Sequence, residues 1–296
     1  MKEKIENIIK EAKKKPIQEL LQFSILNIDK PSGLTSFSVD EYIRKKLNIK
    51  KTSHFGTLDP KVTGVLPISL GRACRLMEYF IHREKTYVGI MHLHKDIEEK
   101  ILKDEIIKFI GKIKQLPPKR SRVKRQERIR TIYEFEILEK KDKDVLFKVR
   151  CEAGTYIRKL IHDVGLSLKC NAHMTELRRI KASIFSEEDE EFINLYEFDK
   201  VIEDYKKGNE NLLRKILIPA EIVCKILPFI EIKEYEEILK KLYNGYKVKQ
   251  EMLKEKFKLK ENEIFCLFYS KKFVGIYKTI NQKDILAIPE FVYKPL

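Results

Sequence analysis

The residues best suited to chemistry are gathered in His54-Phe55-Gly56-Thr57-Leu58-Asp59-Pro60-Lys61-Val62-Thr63-Gly64. Asp59 is a carboxylate that can serve as a nucleophile or a base. Pro60 behind it keeps its backbone out of the α region. Gly56 and Gly64 on either side allow a sharp loop and close approach by a ligand. An ordinary Asp-Pro turn uses the same residue types, so this segment alone leaves both uses open.

A second segment, Cys151-Glu152-Ala153-Gly154-Thr155-Tyr156-Ile157-Arg158, passes from a strand through a glycine turn into a helix start. That arrangement sets Tyr156 and Arg158 at the end of a sheet, where sites are commonly built. An arginine beside Asp59 would hold the carboxylate ionised. No spacing rule brings Arg158 to Asp59, and a core tyrosine beside a surface arginine fits the same residues. The third feature is a basic tract. Residues 112–130 hold nine Lys or Arg against one acidic residue, Glu127. Lys119, Arg120, Arg122, Lys124 and Arg125, with Arg128 and Arg130, could neutralise several phosphates of a nucleic-acid backbone.

These segments need elements to hold them. Residues 1–15 read as a solvated amphipathic helix ending near Pro16, and 24–29 as a strand entering the turn Lys30-Pro31-Ser32-Gly33. Thr35-Ser36 offers an N-cap, and Val39, Tyr42, Ile43 and Leu47 mark one face of a helix. Residues 50–64 form a long polar segment between apolar elements, which marks it as functional. Residues 85–94 predict a strand, 105–113 a helix, and 131–139 with 144–151 a pair of strands around residues 140–143. A helix over 155–168 carries Ile157, Leu160, Ile161, Val164 and Leu168 on one stripe. The acidic run 187–191 reads as a solvated linker edge. From about Leu227 the chain reads as a compact β-rich module, with strands at 264–268, 273–278 and 291–293. Strands and helices without regular βαβ alternation predict an α+β fold. The expected division is 1–226, with an N-terminal extension over 1–23, and 227–296.

Composition narrows the partner. Of 296 residues, 43% are hydrophobic, enough for a real core. Lys and Arg number 61 against 45 Asp and Glu, a net charge of +16, which calls for a polyanion and favours nucleic acid. No apolar run approaches the roughly 20 residues of a membrane span, and the first fifteen residues lack the apolar stretch of a signal peptide. No membrane partner is therefore expected. Five Cys, none in a Cys-x-x-Cys pair, predict buried thiols rather than a disulfide framework. His92 and His94 alternate and would share a strand face, but nothing at zinc-like spacing accompanies them, so no metal is expected. Phosphate-binding glycine loops, nucleotide-cofactor fingerprints, zinc-protease helices and nucleophile elbows are all missing.

Taken as ordered blocks, these segments resemble the TruB/dyskerin family of pseudouridine synthases. The blocks are Asp29 to Ser36, Gly56 to Pro67, Lys85-Thr86-Tyr87, Gly154 to Arg158, and Ala172-His173-Met174 through Leu177-Arg178-Arg179, within a match running from about Pro16 to about Ser186. The resemblance implies an α+β catalytic domain with a mixed, largely antiparallel sheet flanked by helices, followed by a small β-rich PUA-like domain. It implies Asp59 as the catalytic aspartate, Arg158 as the arginine paired with it and Tyr87 as the aromatic stacked on the target base. Tyr156 and Leu177 would line the uracil pocket, His54 would help prise the nucleotide from its stack, and Lys30 and Pro31 would support the active-site loop. Phe55 stands where the family usually has a small residue, and Lys169-Cys170-Asn171 where it has a glycine-containing turn.

The implied reaction, uridine to pseudouridine, involves no redox change and no net hydrolysis, so no cofactor is implied. Three features resemble the archaeal/eukaryal dyskerin-like branch. They are Pro16-Ile17-Gln18-Glu19-Leu20-Leu21, Met91 to Asp96, and a Pro117-to-Arg125 segment running almost directly into Arg130. That branch implies a guide RNA, small protein subunits of the box H/ACA particle, rRNA substrates and a cytoplasmic, or in eukaryotes nucleolar, location. A stand-alone tRNA synthase and a catalytically idle RNA-binding protein are the alternatives.

Overall fold

The structure is a computed structural model that describes residues 2–116, 126–255, 260–282 and 285–295. The predicted backbone-binding residues Lys119, Arg120, Arg122, Lys124 and Arg125 lie outside the described residues. Along the chain run α1 (Lys2–Lys13), α2 (Ile17–Gln22), β1 (Ser24–Lys30), α3 (Ser36–Lys46), β2 (Thr52–His54), β3 (Thr63–Leu70) and α4 (Met77–Ile81). Then come β4 (Lys85–Leu93), α5 (Glu99–Ile107), β5 (Gly111–Gln115), β6 (Arg128–Lys141), β7 (Asp144–Cys151), α6 (Ile157–Ser167) and β8 (Ala172–Ala182). β9 (Phe185–Ser186), β10 (Phe192–Asn194), α7 (Leu195–Lys206), α8 (Asn211–Ile216) and β11 (Ile218–Pro219) complete the first part. β12 (Phe229–Ile232), α9 (Glu236–Tyr243), β13 (Ile264–Tyr269), β14 (Lys272–Gln282) and β15 (Ile285–Val292) form the second.

The fold is α+β. An eleven-stranded sheet runs β10-β1-β3-β8-β4-β7-β6-β5, with β11, β2 and β9 paired onto β1, β3 and β8. Only the β1–β10 and β3–β8 pairs within it are parallel. A second sheet runs β12-β13-β14-β15. The β3–β8 junction is two residue pairs long, Thr63 with Arg178 and Gly64 with Arg179, so the large sheet has a seam at its middle. The loop carrying Asp59 enters β3 at that seam.

Local chemistry explains the elements beside the seam. Thr35 caps α3 by accepting the Ser38 amide at 2.9 Å, and Val39 and Ile43 are buried against β1 and β3. α6 presents Ile157, Leu160, Ile161 and Val164 to the core beneath β4, β6 and β7. Each contributes about 1.5–3 kcal/mol before conformational entropy is counted. The β6–β7 hairpin turns at Asp142, which takes a positive φ that Asp tolerates. Phe55 is buried and stacks on Phe80 at 4.9 Å, with Phe185 tilted against both, so it fills a core gap beneath the loop. In the turn before β8, Lys169 and Asn171 both take positive φ, the conformation a glycine would adopt there without strain.

Several expectations need correcting. Residues 105–113 are not one helix. α5 begins at Glu99 and ends at Ile107, Gly111 breaks the chain at φ +99°, and β5 then pairs with β6 from Gly111–Ile132 to Gln115–Arg128. The polar segment 50–64 contains the short strand β2, zipped onto β3. The acidic run 187–191 is a pinned turn within the first part rather than a linker edge. Asp189 accepts the Ser186 amide and an Asn27 N–H, Glu187 pairs with Arg178, and Glu191 pairs with Lys13. The last strand begins at Ile285 rather than 291, β12 joins the second sheet, and α9 packs beside it.

The N-terminal helix docks rather than projecting. Ile8 shares one buried cluster with Phe23, Phe55 and Val223 of the first part and with Phe273, Phe291 and Tyr293 of the second sheet. Beside it Lys15 bonds the buried Glu221 at 2.7 Å and Glu19 at 2.9 Å. All five cysteines are free and buried. Among the described residues no helix is long and apolar enough to cross a membrane.

Candidate active site

The loop from Phe55 to Val62 is tied down by hydrogen bonds from the end of β1, the turn after it and the start of α3. Lys30, at the end of β1, gives its ammonium to the Pro31 carbonyl at 2.8 Å and the Pro60 carbonyl at 3.0 Å. The Gly33 amide reaches the same Pro60 oxygen at 2.9 Å. Ser36, the first residue of α3, accepts the Leu58 amide at 2.8 Å. Leu58 and Val62 are buried as apolar anchors, leaving Asp59 and Pro60 exposed between them. A turn closes by a 3.0 Å bond from the Val62 amide to the Asp59 carbonyl. Gly64 ends the loop at φ +99°, where a Cβ would lie 2.2 Å from the Arg179 carbonyl, so only glycine fits the seam.

Arg158, in the first turn of α6, donates to the Asp59 carboxylate at 2.5 Å. The two residues are 99 positions apart and both more than half exposed, so the pair adds little to stability. It orients a carboxylate toward open space at the seam. Tyr156 precedes α6 as its cap. Gln115 of β5, 2% exposed, holds the Tyr156 backbone from both sides, accepting its N–H at 3.0 Å and donating to its carbonyl at 3.1 Å.

Tyr87 lies on β4 opposite Arg179 of β8. Its side chain is half-buried, and burial pushes the phenol above its usual range, partly offset by the nearby Arg179 guanidinium. Leu177, also half-buried, sits opposite Gly89, where a side chain would press within 2.9 Å of its Cδ1. Arg179 is fully buried. It donates to the Val65 carbonyl at 2.8 Å and the Gly56 carbonyl at 3.0 Å, joining β8 to both ends of the Asp59 loop. Burial depresses its ordinary affinity for a proton, yet a guanidinium in this setting remains a cation.

Two further buried cations lie under the loop. Burial, then the Arg179 charge, lowers Lys30 from its usual range, while Asp59 acts in the opposite direction. Lys85 is brought down to about 8 by burial and then by Arg179, and it is held by the Ile81 and Arg83 carbonyls. Three buried cations beneath the loop make an electropositive setting that attracts a polyanion.

His54 stands at the end of β2 with Nε2 at 3.2 Å from the Thr57 hydroxyl. Pro31 is exposed, and its carbonyl is an acceptor for Lys30. Thus Lys30 ties Pro31 to the Asp59 loop through Pro60, and Arg158 meets Asp59. Gln115 and Arg179 emerge as positioning residues only in the structure. Outside the seam, His92 and His94 do share a face, joined there by His173, whose Nδ1 is 3.0 Å from His94 Nε2. Among the described residues no group of three or more His, Cys, Asp or Glu is arranged to hold a metal ion.

The profile of the TruB family pseudouridylate synthase N-terminal domain matches residues 44–157, and that of the tRNA pseudouridylate synthase B C-terminal domain matches 158–225. Relatives named "Probable tRNA pseudouridine synthase B" include one from Methanothermobacter thermautotrophicus, 43% identical over 217 residues, and one from Pyrococcus abyssi, 46% identical over 222. These alignments take in 73% and 75% of this chain and 66% of each relative's own length. A solved structure described as a Cbf5-Nop10-Gar1 complex superposes with a TM-score of 0.87 at 37% identity, over 96% of this chain and 89% of the other. A second, an H/ACA RNP bound to a substrate RNA containing 2′-deoxyuridine, gives 0.86 at 35% identity over the same shares. The superpositions extend past the last profile-matched residue into the second sheet. By profile, by identity and by a structural match along nearly its whole length, the chain belongs to the TruB family of pseudouridine synthases.

Proposed function

We propose that the chain isomerises uridine to pseudouridine in RNA, with Asp59 as the reacting carboxylate, and does so as the catalytic subunit of a box H/ACA guide ribonucleoprotein acting on rRNA. The observation that carries this is the Asp59–Arg158 contact, made on a loop fastened by Lys30, Ser36 and Arg179. In the reaction N1–C1′ breaks, the uracil turns, C5–C1′ forms, the C5 hydrogen leaves as a proton and N1 gains one. Asp59 attacks the sugar or base, or removes a sugar proton, while Arg158 keeps it aimed. The target must leave its stack, at a cost of a few kcal/mol. Tyr87 offsets that cost by stacking, and Tyr156 and Leu177 close the pocket around the base. Lys119, Arg120, Arg122, Lys124 and Arg125 hold the RNA backbone, and residues 227–296 act as a PUA-like RNA-binding domain on the catalytic domain of 1–226.

The guided reading is supported by solved neighbours that contain Nop10, Gar1 and substrate RNA, and by the short segment between Pro117 and Arg130. The names of the relatives favour a second reading, direct action on tRNA. Release of tritium from RNA labelled at uridine C5 separates them. Release only with guide RNA and small protein subunits supports the guided enzyme. Release from bare tRNA by the protein alone supports the stand-alone one.

A further inference from the structure

Asp40 belongs to none of the recognised motifs, yet it faces His54. It lies on α3 and is 8% exposed. Its Oδ2 is 3.6 Å from His54 Nδ1. Asp40 Oδ1 and His54 Nδ1 are both buried with no hydrogen-bond partner. Thr52 bonds only the Asp40 backbone oxygen, and the other ring nitrogen of His54 is the one at Thr57. His54 Nδ1 has no other partner, and the Asp40 carboxylate is the acceptor beside it, so pairing would relieve the cost of burying that ring nitrogen unbonded. At 3.6 Å the contact is too long for a hydrogen bond. Catalytic contacts that are long in the free protein commonly tighten when substrate binds, and a formed bond of this kind measures about 2.8 Å.

We propose that Asp40 is a positioning residue that holds His54 with its proton on Nδ1. The carboxylate accepts only, so Nδ1 must donate, and Nε2 is left as the acceptor facing Thr57 and the Asp59 loop. This rests on the proposed role of His54 in opening the RNA stack, but the tautomer is a property of the free protein and can be tested without any reaction.

Two-bond proton–nitrogen correlation spectra of the full-length protein, with imidazoles labelled and His54 assigned through His54→Gln, read the tautomer directly. The wild type is expected in the Nδ1–H form at a pH where the ring is neutral, and Asp40→Leu in the Nε2–H form. Asp40→Asn, whose amide N–H can donate to Nδ1, is likewise expected in the Nε2–H form, since only the carboxylate is acceptor-only. Single-turnover modification in the complete particle is expected to fall about tenfold in Asp40→Leu with RNA affinity unchanged. In the His54→Gln background the Leu substitution adds nothing further. A wild-type spectrum showing Nε2–H, or an Asp40→Leu loss as large without His54 as with it, overturns the proposal. Absence of modification activity in the wild type, with Nδ1–H observed, removes the proposed function and leaves the dyad standing.

Discussion

Replacing Gln115 with Leu tests whether Tyr156 is positioned from β5. Leucine nearly matches the volume of glutamine, so the buried site keeps its packing while losing both polar contacts. The Tyr156 N–H would lose its partner, at about 1–3 kcal/mol, whereas the Tyr156 carbonyl still accepts from Leu160 at 3.0 Å and loses about 1 kcal/mol. The sum is about 3 kcal/mol, a melting temperature lower by about 6–12 °C for a chain of this size. Tyr156 would then drift at the mouth of α6. Single-turnover tritium release, measured well below the melting range, is expected to fall about tenfold while RNA affinity, read by filter binding, stays within twofold. A Gln115→Leu protein with unchanged melting and unchanged turnover would refute the idea that this side chain holds the site.

Three further outcomes follow from the same geometry. Gly64→Ala would drive a Cβ to 2.2 Å from the Arg179 carbonyl at φ +99°, so a loss of about 3 kcal/mol or more and collapse of turnover are expected in melting and release assays. Arg158→Lys keeps the charge but not the planar fork. It should leave stability within about 1 kcal/mol, because the pair is exposed, and lower turnover at least about tenfold. Lys85, depressed from 10.5 to about 8, is charged below pH 8 in both states, at a cost to the fold. Between pH 8 and 10.5 the unfolded chain binds the extra proton, so this residue's contribution to stability rises with pH by about 3 kcal/mol. Denaturant titrations should show that rise in the wild type relative to Lys85→Met, and parallel curves would contradict it.

How much of this could be read before the fold was known depends on the range of the cause. The α3 cap, the β6–β7 hairpin and the α6 stripe are set by near neighbours and were legible. The resemblance named Asp59 and Arg158, but only the fold brings the two together across 99 positions. β5 was misread because Ile106, Ile110 and Ile113 keep a helical spacing through Gly111, and pairing with β6 overrides it. Gln115 is one polar residue in a short strand whose partner lies 41 positions on. Arg178 and Arg179 are indistinguishable as a pair of letters. Strand alternation sends the first to Asp29 and Glu187, and buries the second beneath the Asp59 loop. The acidic run 187–191 looked solvated because its cationic and amide partners, Arg178, Lys13 and Asn27, come from distant segments.

The most direct test of Asp59 as the reacting group is tritium release from RNA labelled at uridine C5, by wild type and Asp59→Ala assembled with guide RNA and the small protein subunits. The expected result is release by the wild type and none above background by Asp59→Ala, with melting and RNA binding of the variant preserved, since the exposed carboxylate contributes little to the fold. Undiminished release by Asp59→Ala would contradict the assignment and move the chemistry to another residue of the seam.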